Sequence, residues 1–454
     1  MIYKDTDLKK IPNKNKKSKR FGVIGNPIAH SMSSALHKEF FSLTGVTDAE
    51  YLTVQVEDLK DSVDLLKEKF DGFNVTVPYK VEIMKYLDVI DGSAKKIGAV
   101  NTVVVKDGKA TGYNTDVDGF SATLEMDGID VKDRDCLIIG YGGASKAVAC
   151  ALSARGANIF VTGRDEDKID SFIAELDAAG IYATKDVAVK KGYHAVINAT
   201  PVGMSPKTDA TPVDADKISD IEYYFDLIYN PRRTKLMRQL DEKGIKTRDG
   251  LLMLVIQGAV AEKHFLKNNI NVRNIVETHL RIAGKMLKEK LEKAGKKDII
   301  FIGFMGSGKT TIAMDIGRYL DMQVVDLDAV IANKYGSISG IFDKNGEEYF
   351  RNIEHKTLKE CVGKGIIIST GGGIVENSEN KDMLTSPDAF VIYLNCDFEI
   401  IRKRVKGSDR PLFRDEDKAY ELYKKRDEKY REVADHVVDS DFGEEETVKA
   451  IFGY

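Results

Sequence analysis

Along most of the chain, short apolar runs alternate with stretches whose apolar residues recur every three or four positions. Runs at 21–25 (FGVIG), 49–56 (AEYLTVQV) and 72–77 (GFNVTV) read as strands, and 59–69 and 81–87 carry helical spacing. A second series follows at 136–140, 158–163, 195–200 and 223–229. A third comprises 298–303, 323–327, 365–370 and 390–394. Strand alternating with helix predicts an α/β chain whose parallel sheets are covered on both faces. Residues 274–293 read as one helix ending in a polar, glycine-interrupted stretch, so 294–297 is the expected linker. Residues 1–20 are lysine-rich without apolar periodicity and read as a basic, solvated tail.

With 454 residues, two or three domains are expected. A net charge of −4 gives no reason to expect nucleic acid or a membrane surface as main partner. The longest apolar stretches, such as 251–256, are too short to span a bilayer, and no secretory h-region opens the chain. Four cysteines without a CxxC pair fit reduced thiols in a cytoplasmic protein. Seven histidines without HExxH spacing leave no transition-metal site to propose; magnesium remains open because it travels with nucleotide phosphates.

Two glycine-rich loops carry candidate chemistry. In IIGYGGAS (138–145), Gly140, Gly142, Gly143, Ala144 and Ser145 follow an apolar run and precede a helix-compatible one. Small residues there let a pyrophosphate approach the backbone at a helix N-terminus. Arg164, after the next strand, is placed to grip a 2′-phosphate, as NADP carries. Asp165 is the type that binds a free ribose hydroxyl, as in NAD, so the choice stays open with arginine favouring NADP. The second loop, IFIGFMGSGKTT (300–311), satisfies GxxxxGK[ST] in full at Gly303, Gly308, Lys309 and Thr310. Its backbone, with Gly306, Ser307 and Thr311, is suited to cradle ATP phosphates, with Lys309 on the β and γ groups and Thr310 on Mg²⁺.

Around the first loop, the motifs at 26–38 (NPIAHSMSSALHK), 74–80 (NVTVPYK), 98–104 (GAVNTVV), 112–119 (GYNTDVDG), 229–236 (YNPRRTKL) and 250–259 (GLLMLVIQGA) resemble the shikimate dehydrogenase family, over residues 21 to about 290. The resemblance implies Lys80 and Asp116 as the catalytic pair, with Ser31, Ser33, Thr76, Asn101, Tyr229 and Gln257 orienting substrate. Ser34, where the family usually has proline, is a departure. Reducing a ketone by hydride transfer needs a proton donor at the nascent alkoxide, which a lysine paired with an aspartate supplies.

After the second loop, 324–331 (VVDLDAVI), 346–354 (GEEYFRNIE), 369–373 (STGGG), 409–413 (DRPLF) and 426–435 (RDEKYREVAD) follow in order. This series is similar to shikimate kinase over 298–454. It implies that Asp328 accepts the substrate hydroxyl proton and that Asp326 supports magnesium with Thr310. Arg351 and Arg426 would hold the substrate carboxylate, Glu354 would fix Arg351, and Gly371, Gly372 and Gly373 would admit the ring. Arg410 would close over the phosphates from a lid at roughly 405–417, and Arg404 would sit by the adenine. Gly340 stands where the family usually has glutamate.

The expected architecture is therefore a substrate domain (21–120, rejoined by 250–293), a Rossmann domain (121–249) and a P-loop kinase domain (298–454). The resemblances imply a bifunctional enzyme of aromatic amino-acid biosynthesis. It would reduce 3-dehydroshikimate to shikimate with NADPH and then phosphorylate shikimate with ATP. The alternative is an NAD-using quinate/shikimate dehydrogenase whose P-loop half only binds nucleotide and regulates.

Overall fold

The computed structural model describes residues 2–14, 18–29, 31–189, 192–267, 269–406 and 415–453. The chain divides into two compact units, Met1–His279 and Leu280–Tyr454.

The first unit holds two sheets. One is seven-stranded and mixed: β1 (Ile2–Lys4), β2 (Lys19–Gly25), β3 (Ala49–Gln55), β4 (Gly72–Val75), β5 (Val89–Ile90), β6 (Thr102–Lys106) and β7 (Lys109–Tyr113), in the order β1-β3-β2-β4-β6-β7-β5. β1 to β4 run parallel, and β6 pairs antiparallel with both β4 and β7. The other is six-stranded and wholly parallel: β8 (Asp135–Ile139), β9 (Asn158–Thr162), β10 (Ala183–Lys185), β11 (Ala195–Asn198), β12 (Tyr223–Asp226) and β13 (Lys246–Arg248). Its order, β10-β9-β8-β11-β12-β13, reverses direction beside β8, and ligands bind at such a switch point. The Gly140–Ser145 loop leaves β8 there.

The second unit has one five-stranded parallel sheet: β14 (Asp298–Ile302), β15 (Val324–Asp326), β16 (Ile367–Ser369), β17 (Ala389–Asn395) and β18 (His436–Asp439), ordered β15-β16-β14-β17-β18. β14 is buried along its whole length: Ile299–Ile302 is a continuous apolar run, and the Asp298 carboxylate at its start accepts from Gly365 N and Ile366 N. The P-loop leaves its C-terminal end.

Two expectations are corrected. Residues 2–11 are not a solvated tail: β1 pairs with β3 from Ile2 opposite Thr53, and a 3₁₀ turn spans Asp5–Lys10. Leu8 and Ile11 are buried against Val54, Leu59 and Leu66. Burying a side chain such as Leu8 contributes about 1.5–3 kcal/mol, and the intervening lysines simply face water. The domain boundary also moves. One helix runs Val272–Lys293, and its later turns belong to the second unit, not to the dehydrogenase half. There Gly284 faces Phe452 and Leu320, and Lys288 Nζ donates to Leu320 O at 3.0 Å. Smaller differences are a 3₁₀ turn at Glu82–Tyr86 in place of a helix, and a strand that stops at Asp226. Asp226 ends that strand because its buried carboxylate accepts from Ile228 N, Asn198 Nδ2 and Thr234 Oγ1.

Candidate active sites

Lys80 sits in the turn after β4. Its neighbour Tyr79 is buried, with the hydroxyl donating to Val56 O at 2.7 Å, so Lys80 turns the opposite way. Val100 N donates to Lys80 O at 2.8 Å and ties that turn to the segment leading into Asn101. Lys80 Nζ then reaches Asp116 Oδ2 at 2.6 Å. Asp116 begins the helix Asp116–Met126, and Asn101 Nδ2 donates to its other oxygen at 2.9 Å. Gln257, from the helix Leu251–Leu266, closes the group: its Oε1 accepts from Thr115 Oγ1 at 3.1 Å. Such a buried, connected polar network fixes its members' orientations.

On the other side of β4, Ser31 Oγ donates to Ser33 Oγ at 3.2 Å, at the start of the helix Ser33–Thr44. A buried His37–Glu262 contact ties that helix to Leu251–Leu266, and His37 stacks on Tyr51 at 4.1 Å. Tyr51 donates to Asn74 Oδ1 at 2.6 Å. Thr76 N donates to Ile24 O at 2.9 Å. Tyr229 lines a cavity of about 150 Å³ with Thr200, Met204 and Asn230, and burial raises its pKa. Asn74, Thr115 and Tyr51 were missed in the sequence. Asn74 opens the NVTVPYK motif and Thr115 precedes Asp116, so position alone could have flagged both.

Gly142, extended at φ −96°, precedes the helix Gly143–Ala154, and its N–H meets Ser145 Oγ at 3.3 Å. Ala144 lies in that first turn, and the backbone at Gly143 lies against Lys80 and Ala99. Arg164 is exposed and makes no hydrogen bond or ion pair among the described residues. Asp165 is engaged: it caps the helix Glu166–Ala178 by accepting from Lys168 N at 3.2 Å. That hydrogen bond lowers its pKa.

In the second unit, Gly306 and Gly308 take φ of 83° and 92°, a conformation that only glycine adopts readily. Lys309 Nζ donates to the loop's own Gly303 O and Phe304 O, each at 2.9 Å. Ser307 Oγ is buried without a hydrogen-bond partner among the described residues, which fits a loop built for phosphate oxygens. Thr310 Oγ1 donates to Asp326 Oδ2 at 2.6 Å and lies 3.2 Å from Ser369 Oγ. Thr310, Thr311, Asp326, Asp328 and Gly372 line one cavity of about 260 Å³ with Gly306, Gly308 and Lys309.

The triple glycine is the floor beside it. A Cβ on Gly371 would lie 2.7 Å from Asp328 Oδ1 and 2.8 Å from Glu354 Oε1. On Gly373 it would lie 2.2 Å from the Arg351 guanidinium, so the arginine rests flat on bare backbone. Arg351 Nη1 donates to Glu354 Oε2 at 2.8 Å and Nη2 to Glu347 Oε1 at 3.1 Å. Burial raises the pKa of Glu354, against the pull of Arg351. Arg426, from the helix Glu416–Val433, donates through Nε to Glu376 Oε1 at 2.9 Å. Burial opposes ionisation of Glu376, but hydrogen bonds from Lys429 and Arg426 hold it at about 2. Glu376 and Lys429 carried no signal in the sequence. Arg404 Nη2 donates to Ser440 O at 2.8 Å and Nη1 meets Cys396 Sγ. Arg410 lies outside the described residues.

Comparison with known proteins follows the same division. The shikimate dehydrogenase substrate binding domain model matches residues 23–103, and the shikimate kinase model matches residues 305–453. A shikimate dehydrogenase (NADP(+)) of Methanocaldococcus jannaschii is 42% identical over 265 residues, 55% of this chain and 92% of that protein. A shikimate 5-dehydrogenase from Thermus thermophilus, solved with NADP(H) and shikimate, aligns at 32% identity and TM-score 0.53, over 58% of this chain and 99% of its own. The ligand-free 5-ketofructose reductase of a Gluconobacter strain aligns at 30% identity and TM-score 0.53, over 59% and 100%. One fold thus serves more than one carbonyl substrate, and the side chains of the site set which one is taken.

Proposed function

This chain belongs to the shikimate dehydrogenase family and continues into a shikimate kinase domain, and we propose that it catalyses two consecutive steps on one small molecule. The first unit reduces 3-dehydroshikimate to shikimate with NADPH. The second phosphorylates the 3-hydroxyl of shikimate with MgATP. The observation that carries the reading is the Lys80–Asp116 contact of 2.6 Å, set among the hydrogen-bonding side chains Asn101 and Gln257. NADPH supplies the hydride when bound. Lys80 holds the proton for the carbonyl oxygen, Asp116 and Asn101 hold Lys80 and the substrate hydroxyls in place, and Ser31, Ser33, Thr76 and Tyr229 complete the substrate site.

In the second unit Lys309, Thr310 and the loop amides hold the triphosphate. Thr310 and Asp326 would hold magnesium, which would supply positive charge against the phosphates. The oxygen pair of Thr310 and Asp326 suits that hard cation, and among the described residues no cluster of three acidic, histidine or cysteine side chains offers a rival site. Asp328 accepts the hydroxyl proton, and Arg351 and Arg426 face the carboxylate. Arg404 borders the adenine.

The test uses the full chain with 3-dehydroshikimate, NADPH and MgATP. One NADPH oxidised and one ATP consumed per substrate is the expected result, with shikimate accumulating when ATP is withheld. Oxidation of NADPH with no ATP consumed, or no oxidation at all, sinks the reading.

Cofactor choice rests on Arg164, since Asp165 is committed to its helix cap. Arg164→Ala is expected to raise the KM for NADPH about 10- to 100-fold, the worth of a hydrogen bond to a charged group, and to leave the KM for NADH nearly unchanged. Equal shifts for both cofactors would remove the 2′-phosphate assignment.

A further inference from the structure

The two arginines assigned to the substrate carboxylate are held differently. Arg351 donates one N–H from each Nη, to Glu354 at 2.8 Å and to Glu347 at 3.1 Å, so its outer edge is engaged by carboxylates while its buried Nε has no hydrogen-bond partner among the described residues. Arg426 is bound the other way round: only its Nε donates, to Glu376 Oε1 at 2.9 Å. Among the described residues neither of its Nη nitrogens makes a hydrogen bond, yet the residue is only 4% exposed. A guanidinium so buried, anchored through its inner edge, presents its outer edge as a fork. That edge offers two parallel N–H donors, the match for a carboxylate.

Glu376 sits just past the triple glycine, in the short turn Ile374–Glu376. It is itself fixed by Lys429, which donates to its second oxygen from the helix that carries Arg426. Between them Tyr430 donates to Gly372 O, which binds that helix to the glycine floor. The Phe304 ring lies 6.0 Å from the Arg426 guanidinium carbon, so the fork's other side is bounded by the P-loop segment. Both carboxylate oxygens of Glu376 are thus engaged by cations, Oε1 by Arg426 and Oε2 by Lys429. Its one directional act is to choose which edge of Arg426 faces the site.

We propose that Glu376 is a positioning residue for phosphoryl transfer: by holding Nε it commits the Nη fork of Arg426 to the substrate carboxylate. Lys429 holds Glu376 and is the outer member of the relay. This rests on the reading of the second unit as a shikimate kinase.

The experiment compares shikimate with its carboxamide, which lacks the anionic carboxylate, using the full-length wild type, Glu376→Ala and Glu376→Gln. For Glu376→Ala the KM for shikimate is expected to rise about tenfold or more with kcat within about twofold, since uniform binding is lost and the chemistry is not. The kcat/KM for the carboxamide is expected to stay as in the wild type. Glu376→Gln, which keeps an oxygen for Nε–H, is expected to recover part of the loss. It also carries the comparison alone if the alanine variant does not fold. An equal penalty on both substrates, or on neither, overturns the proposal. If the wild type phosphorylates neither substrate, the kinase reading falls and takes the proposal with it, an outcome distinct from an equal penalty.

Discussion

Asparagine at position 328 is expected to lower kinase kcat by about 10²–10⁴-fold while ATP still binds, the range a positioned general base contributes. Asp328 lies in the first turn of the helix Leu327–Tyr335 and lines the same cavity as Lys309 and Thr310. Asparagine keeps its shape above Gly371 but cannot take the hydroxyl proton. The substitution is also kind to the fold. Glu354 is buried, and the nearby negative charge of Asp328 adds to the rise in its pKa, so removing that charge relieves rather than strains the pair. The proposed nucleotide contacts are Lys309, Thr310 and the loop amides, which belong to the P-loop and the helix Lys309–Leu320, whereas residue 328 belongs to the helix Leu327–Tyr335. The checks are steady-state turnover with shikimate and MgATP, and calorimetric titration with ATP. Turnover within tenfold of the wild type would deny Asp328 its role as base.

How far all this was legible in the sequence depends on whether a side chain acts locally or through a distant partner. The second and third alternating series read correctly as parallel sheets, because strands buried on both faces are nearly continuous apolar runs, as Ile299–Ile302 of β14 is. The first is parallel only from β1 to β4, since β6 runs antiparallel to β4 and β7. The glycine loops were legible for a related reason: Gly306 and Gly308 take a backbone conformation that other residues adopt only under strain. The lysine-rich start misled because Leu8 and Ile11 are too few to make a periodicity, although both are buried. The helix Val272–Lys293 misled because its polar end marks where the helix stops, not where the chain changes partners. Glu376 was invisible because its meaning lies 50 residues away, in Arg426. A lone glutamate after a glycine run is ordinary until the fold brings an arginine to it.

The same distinction governs the other large effect, at Lys80. Lys80→Met is expected to reduce the kcat for NADPH-dependent reduction of 3-dehydroshikimate by about 10²–10⁴-fold. Methionine nearly keeps the length of the side chain but offers no proton at the site of the Nζ now 2.6 Å from Asp116. The concern with such a change is an orphaned buried carboxylate, which costs several kcal/mol when nothing else satisfies it. Asp116 Oδ1 keeps the Asn101 Nδ2 donor at 2.9 Å, so one carboxylate oxygen stays satisfied while Oδ2 loses the Lys80 donor. A second safeguard lies in the chain itself, since the second unit carries a separate activity. Phosphorylation of shikimate by the same preparation should proceed at the wild-type rate, showing that the sample is folded and correctly quantified. Substrate affinity should fall less than turnover, about tenfold, because the hydroxyl ligands Asn101 and Gln257 still stand. A loss in kcat below tenfold would mean that the proton reaches the alkoxide from elsewhere. Parallel loss of both activities would mean that the substitution acts on stability and says nothing for Lys80 as the proton donor.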